Sequence, residues 1–134
     1  MISLDLNPWA KRGVLLEQSG SVLSHFDSRS SRTAKLWLRK ALETCPEAVI
    51  VGSPLDEWPP ELLEEARRHD ANLDWLNPTL LRALYTAGRS WNLQRKLYRA
   101  RLLAYLHQHR VEPWDLHERL RTFEHELARE TLQV

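Results

Sequence analysis

The chain has little cysteine and no long apolar segment. Its single thiol, Cys45, cannot form an internal disulfide and has no Cys or His nearby at metal-ligand spacing, which is typical of a reducing compartment. No apolar run approaches the roughly 20 residues that span a bilayer, so no membrane partner is expected. The first residues, Met-Ile-Ser-Leu-Asp, lack the basic start and apolar core of a signal peptide. We therefore expect a cytoplasmic protein.

One long stretch lacks acidic residues. The 33 residues from 79 to 111 contain no carboxylate and seven Lys and Arg, although 28% of the chain is charged. An acidic block at residues 43–74 precedes it, with nine acids against two bases, so the net charge of +1 hides a strong segregation. The basic tract is then either an exposed surface or is neutralised by the acidic block, within the fold or across a dimer.

Strand and helix patterns alternate along the chain. Three closely spaced strand patterns, at residues 2–6, 13–17 and 21–26, predict an antiparallel meander. Residues 48–51, Ala-Val-Ile-Val, followed by Gly-Ser-Pro, predict a buried central strand whose C-terminal end opens into a loop, where α/β proteins gather their sites. Another strand is expected at 72–76, and helices are expected from a cap within 28–31 to about 44, from 59–60 to about 69, 78 to 88, about 90 to 110, and from 113 onward.

This order predicts an α/β protein with a mixed sheet, namely a three-strand antiparallel meander extended by two crossover strands, with flanking helices and a C-terminal helix. A ribonuclease H-like sheet has this arrangement, and another small mixed α/β fold is the alternative. The length of 134 residues favours one domain, with residues 112–134 as a C-terminal helical extension. The apolar stripe of the last helix predicts packing within the chain, with a two-fold contact to another copy as the alternative.

Several segments resemble known nucleases. Residues 4–14, Leu-Asp-Leu-Asn-Pro-Trp-Ala-Lys-Arg-Gly-Val, resemble the start of RuvC-like nucleases, above all the RuvX/YqgF-type family of Holliday junction resolvase-like and rRNA-processing enzymes. Residues 49–55, Val-Ile-Val-Gly-Ser-Pro-Leu, look like the central strand and loop of that family. Residues 76–78 and 99–104 are similar to segments of the catalytic domain of RuvC-like DEDD transposases. Both resemblances imply a ribonuclease H-like fold over most of residues 2–106.

The resemblance implies two-metal chemistry, in which Mg²⁺ ions about 4 Å apart are held by three or four carboxylates. Asp5 matches the first of these acids. In the RuvX-like comparison a catalytic Glu falls on Pro78, and in the transposase-like comparison the last two acids fall on Lys96 and Arg99. A cation beside Asp5 would take the place of a metal ion and form an ion pair, so a filled, metal-free pocket is expected.

Two further acids lie just past the central strand. Asp56 and Glu57 are the residues that would substitute for the lost carboxylates, so the candidate catalytic residues are Asp5, Asp56 and Glu57. The alternative for Asp5 is a structural role, in which it bonds backbone amides or pairs with a cation. No cofactor is expected, and Mg²⁺ enters only if the chain is a divergent nuclease.

The basic tract carries interleaved Tyr and Trp residues. Cations neutralise phosphates and aromatic rings stack on bases, so such a surface binds nucleic acid with little sequence preference. Arg95 and Arg99, four residues apart, are expected to share a helix face. The candidate nucleic-acid-binding residues are Lys11, Arg12, Arg89, Arg95, Lys96, Arg99 and Arg101.

Three functions are consistent with these features. The first is a catalytically degenerate RuvC-like domain that binds nucleic acid or acts as an accessory protein. The second is a divergent Mg²⁺-dependent, structure-specific nuclease, and the third is a structural protein–protein interaction module. The expected partners are DNA or RNA, and a homodimer or a larger protein complex. An actin-like ATPase is disfavoured, because the four glycines are scattered singly and phosphate loops need closely spaced ones.

Overall fold

The structure, a computed structural model, describes residues 1–7, 12–27, 30–52, 58–86 and 92–132. Within these ranges the chain forms five strands and five α-helices. The strands are β1 (Ile2–Asn7), β2 (Arg12–Glu17), β3 (Val22–Asp27), β4 (Val49–Ile50) and β5 (Asn72–Leu73). The helices are α1 (Ser31–Thr44), α2 (Pro60–Arg68), α3 (Pro78–Thr86), α4 (Lys96–Gln108) and α5 (Leu116–Leu132), with short 3₁₀ turns at Asn92–Gln94 and Pro113–Asp115.

The five strands form one open mixed sheet in the order β3-β2-β1-β4-β5. The first three strands pair antiparallel, while β4 runs parallel to β1 and β5 parallel to β4. Gly20 has a φ of +95° in the tight turn that connects β2 to β3, a backbone conformation that favours glycine. The predicted α/β class, with a three-strand meander extended by two crossover strands, is confirmed.

The central strands are buried on both faces. Leu4 and Leu6 of β1 belong to the apolar core that contains α1 and α2. Ser3 and Asp5 alternate with them, face the opposite side and are also buried, because α4 crosses β1 and β2 there. Strand alternation therefore places a carboxylate inside the protein, between the sheet and α4.

Strands β4 and β5 are each two residues long, shorter than the sequence predicts. Their pairing continues past the strand ends through hydrogen bonds from the Asp74 amide to the Ile50 carbonyl and from the Leu76 amide to the Gly52 carbonyl. The Trp75 ring lies directly over Gly52, where an added Cβ would be 2.0 Å from a ring carbon. Glycine is therefore required at the end of the central strand, because an indole occupies the space above it.

The remaining helices pack on α4. Leu102, Leu103 and Leu106 of α4 form a second apolar core with α3 and α5, to which α5 contributes Leu120 and Phe123. The prediction that the last helix packs within the chain is confirmed, although its contacts are with α3 and α4 rather than with the sheet. None of the described helices has the length and apolar character needed to cross a membrane.

The predicted start of α4 near residue 90 is wrong. The helix begins at Lys96, because Arg95 has an extended backbone with φ −86° and ψ 112°, and a 3₁₀ turn precedes it. Arg95 therefore does not lie on a helix face with Arg99: Arg95 is exposed, whereas Arg99 is buried.

A buried glutamate joins α1 to α2. Glu65 is 1% exposed and accepts hydrogen bonds from Arg39 of α1, with Nε 2.8 Å from Oε1 and Nη2 3.3 Å from Oε2. His69 lies 3.3 Å from the same carboxylate. The pKa of Glu65 is lowered from its ordinary 4.5 to about 2, mainly because Arg39 donates a hydrogen bond to the carboxylate. Burial acts in the opposite direction and raises this pKa.

Glu65 should give the fold an acid-sensitive contribution to stability. The folded state lowers the pKa of Glu65, so its stabilisation is fully present above about pH 4.5 and is lost as pH falls toward 2. A shift of this size corresponds to about 3 kcal/mol. We expect Glu65→Gln to reduce the free energy of unfolding at neutral pH by that order and to flatten its pH dependence between these limits, measured by urea unfolding.

The matched control is Glu64→Gln. Glu64 is the preceding residue, is exposed and pairs with Arg68, so its loss should change stability by well under 1 kcal/mol. Equal effects of the two substitutions would contradict the role assigned to Glu65.

Candidate functional site

The candidate active site is built around Asp5, and Arg99 of α4 occupies it. Arg99 Nε lies 3.1 Å from Asp5 Oδ2 and 3.4 Å from Oδ1. Both side chains are 7% exposed. The expected contact between Asp5 and a cation at position 96 or 99 is therefore present, with Arg99 as the partner. The positive charge beside the buried Asp5 carboxylate is therefore the guanidinium group of Arg99.

Small residues allow α4 to approach the sheet closely enough for this contact. Ala100 is buried against Val14 and Leu16 of β2, and Ala104 packs against the same group one helical turn later. A helix with alanines on its inner face lies close to the strands. Arg99, next to Ala100, thereby reaches the inward-facing carboxylate of β1.

The residues described at this site do not fit Mg²⁺. The cavity beside Asp5 has a volume of only about 10 Å³, room for about one water molecule, and Arg12, Lys96 and Arg99 line it. Hard divalent cations need several oxygen ligands and are repelled by cations. In the described ranges no cluster of three His, Cys, Asp or Glu residues could hold a metal ion.

Four predicted site residues lie outside the described ranges. Asp56 and Glu57, the candidate substitute acids, belong to this group, as do Lys11 and Arg89 of the expected basic surface. Their proposed roles stay predictions.

A second charged cluster lies at the surface beside this pair. Arg12 Nε is 3.1 Å from Asp27 Oδ1, and Lys96 Nζ contacts Asp27 Oδ2 and lies 2.9 Å from His25 Nδ1. Arg12 also donates from Nη1 to the Gln94 carbonyl at 2.7 Å. We call Arg12, His25, Asp27 and Lys96 the Asp27 cluster. The hydrogen bond from Lys96 lowers the pKa of Asp27.

Sequence reasoning missed His25 and Asp27. The two residues are two positions apart on β3, so their side chains lie on the same face of the sheet as Asp5. This spacing is the feature of the sequence that could have identified them. The partner Lys96, however, is 69 residues away, and only the packing of α4 on the sheet brings the two charges together.

The rest of the predicted basic surface is divided. Arg101 pairs with Glu130 of α5 at 3.6 Å, and Tyr98 and Tyr105 pack their rings on Phe123. These tyrosines are therefore partly buried in the helical core. Of the candidate cations in the described ranges, Arg12 and Arg95 are exposed, Lys96 and Arg101 are partly exposed, and Arg99 is buried.

The acidic block makes few ion pairs with this tract. Glu65 pairs with Arg39 and Arg68, and the described contact from the block to the tract joins Asp74 to His107 Nε2 at 2.6 Å. The tract's cations pair instead with acids from β1, β3 and α5. Among the residues that the structure describes, the contact of Asp74 with His107 is thus the one found between the acidic block and the tract, and pairing of residues 43–74 with the tract's Lys and Arg within the fold is not seen there.

A larger cavity lies elsewhere. Its volume is about 270 Å³, and it opens between the β2–β3 turn, α4 and α5, with Arg101 and Glu130 at its wall. Asp5 is not among its lining residues, so it is separate from the candidate active site.

The fold and this site define an α/β protein with an open mixed sheet and a buried carboxylate–guanidinium pair between β1 and α4. No protein-family model matches the chain, and neither a curated protein nor a solved structure matches it.

Removing Arg99 alone should destabilise the protein more than removing both members of the pair. Arg99→Met leaves a buried carboxylate without this guanidinium, a change that costs about 3–5 kcal/mol. In the double variant Asp5→Asn/Arg99→Met the buried carboxylate charge is removed as well, so we expect part of the stability to return, as measured by denaturant unfolding of all four members of the cycle.

Lys96→Met is the control for loss of a cation from the same helix. Its partner Asp27 is exposed, so this variant should lose about 1 kcal/mol or less. If Arg99→Met costs no more than Lys96→Met, or the double variant is the least stable, the buried pair does not have the energetic role described.

Proposed function

We propose that this chain is a ribonuclease H-like, RuvC-type domain that has lost its metal site and acts as a nucleic-acid-binding or accessory protein. The observation that carries the proposal is the buried contact of Arg99 with Asp5. A carboxylate held by a guanidinium, in a cavity that admits about one water molecule, is unsuited to two-metal hydrolysis.

The sheet supports the fold part of the proposal. Its order, with an antiparallel meander followed by two parallel crossover strands, is the arrangement expected for a ribonuclease H-like domain. Asp5 lies on the first strand, as the RuvC-like resemblance requires, and its side chain faces α4. The helix that would present a further acid presents Lys96 and Arg99 instead.

The surface beside the site supports the binding part. Arg12 is exposed and Lys96 is partly exposed where they line the small cavity, and Arg95, next to Lys96 in the chain, is exposed as well. Cations at this position would contact the phosphate backbone, which accounts for most of the affinity of proteins for nucleic acid when sequence is not read.

Binding to nucleic acid should be visible in a mobility-shift assay and should depend on salt. We expect the protein to retard branched DNA, single-stranded DNA or RNA at low salt, with affinity falling as salt rises, because cations that bind phosphate release counterions. In parallel incubations with Mg²⁺ or Mn²⁺, the nucleic acid should remain intact.

Two results would contradict the proposal. If none of the three nucleic acids is retarded at low salt, the binding function is wrong. Metal-dependent cleavage that disappears in Asp5→Asn would instead establish the divergent nuclease, with Asp5 as a metal ligand. Cleavage that persists in Asp5→Asn would come from a contaminant or from another site.

A protein–protein interaction module is a second candidate, and Trp114 favours it. This side chain is 79% exposed in the 3₁₀ turn before α5, between Glu112 and Asp115. Exposed tryptophans are frequent anchors of protein interfaces. Trp114→Ala should leave the stability and nucleic-acid binding of the chain unchanged, which separates this surface from the Asp27 cluster in the same assays.

A further inference from the structure

The Asp27 cluster places hydrogen-bond donors from two side chains, Arg12 and Lys96, around one exposed carboxylate. Asp27 is 56% exposed and receives Arg12 on one oxygen and Lys96 on the other. His25 bonds the same ammonium group. The two cations are also restrained by other contacts. Arg12 donates a hydrogen bond to the Gln94 carbonyl, and Lys96 belongs to the first turn of α4.

A carboxylate and a phosphodiester offer such donors the same chemistry. Each carries one negative charge shared by two oxygens, and each accepts charge-assisted hydrogen bonds from guanidinium and ammonium groups. Arg12 and Lys96 approach different oxygens of Asp27. A backbone phosphate that replaced the carboxylate could bond both cations in the same way.

The two neighbouring ion pairs differ in how easily they can be exchanged. Exposed ion pairs contribute little to stability, so an incoming polyanion can displace Asp27 at small cost. Asp5 and Arg99 are buried, and breaking a buried ion pair is strongly destabilising. An incoming anion can therefore replace Asp27 beside Arg12 and Lys96, while Arg99 stays paired with Asp5.

We propose that Arg12 and Lys96 form a binding site for one backbone phosphate of a nucleic acid, with His25 orienting the Lys96 ammonium group, and that Asp27 is the internal anion this phosphate displaces. The inference rests on the proposed nucleic-acid-binding function and specifies the site through which it acts. Asp27 thus lowers the affinity of the free protein by competing with the ligand for the same cations.

The test measures binding of fluorescently labelled oligothymidylate and oligouridylate by anisotropy over a range of salt concentrations. Asp27→Asn removes the competing charge, so its affinity for both probes should rise roughly threefold, the factor expected for loss of an exposed ion pair. The plot of log affinity against log salt should also become steeper, by at most roughly 0.7 because one phosphate is bound, since no displaced carboxylate then takes up a cation from solution.

Asp74→Asn is the matched control. Asp74 is 59% exposed, pairs with His107 and follows β5, at the opposite edge of the sheet from β3. Its substitution changes the net charge by the same amount, and it should leave both affinity and salt slope at wild-type values. Lys96→Gln and Arg12→Gln, which keep Asp27, should each weaken binding.

Each outcome decides the matter. A tighter and steeper Asp27→Asn with an unchanged Asp74→Asn supports the site. Equal gains in both variants mean a general charge effect and overturn it, as does an Asp27→Asn variant that binds no better than wild type. If the wild type binds and Asp27→Asn, Lys96→Gln and Arg12→Gln all bind as it does, the phosphate site is wrong but the proposed function stands. If neither wild type nor Asp27→Asn binds at low salt, the site and the proposed function are both wrong.

Discussion

A carboxylate on the inner face of β1 needs a cation beside it, and Arg99 supplies that cation from α4, 94 residues further along the chain. An uncompensated buried charge would cost several kcal/mol, so the position of α4 on the sheet is tied to this contact. Ala100 and Ala104 set the height of the helix above the strands, and the ion pair sets its position along β1. The helical core of α3 and α5 is built on the far side of the helix fixed in this way.

The same contact determines the chemistry available at the centre of the sheet. Sites in open α/β sheets use polar groups at strand ends, and here the polar group on the first strand is already bonded. The charges that remain accessible lie one layer further out, at Arg12, Asp27 and Lys96. The two sets of ion pairs therefore have different roles. The buried Asp5–Arg99 pair maintains the fold, and the pairs of Asp27 with Arg12 and Lys96 face the solvent.

Local signals predicted the sheet well and the site only in part. The meander followed from tight turns between alternating residues, and the Asn77 cap before α3 is present, with the Thr79 amide 2.9 Å from the Asn77 side chain. The extended backbone of Arg95 could not be predicted, because propensity alone continues the helix through it. The Asp5–Arg99 contact was reached through the resemblance to nucleases. The partners of Asp27 and Glu65 depend on packing between distant elements.

The register between β2 and β3 shifts between Leu15 and Leu16, so that Leu23 lies between paired neighbours as the extra residue of a bulge. This strand forms an outer edge of the sheet, where exposed Val22 and Leu23 could recruit another strand. A bulge twists such an edge, and the charges of Asp27 and its partners follow within the same strand. The β3 edge of the sheet is thereby protected against edge-to-edge aggregation.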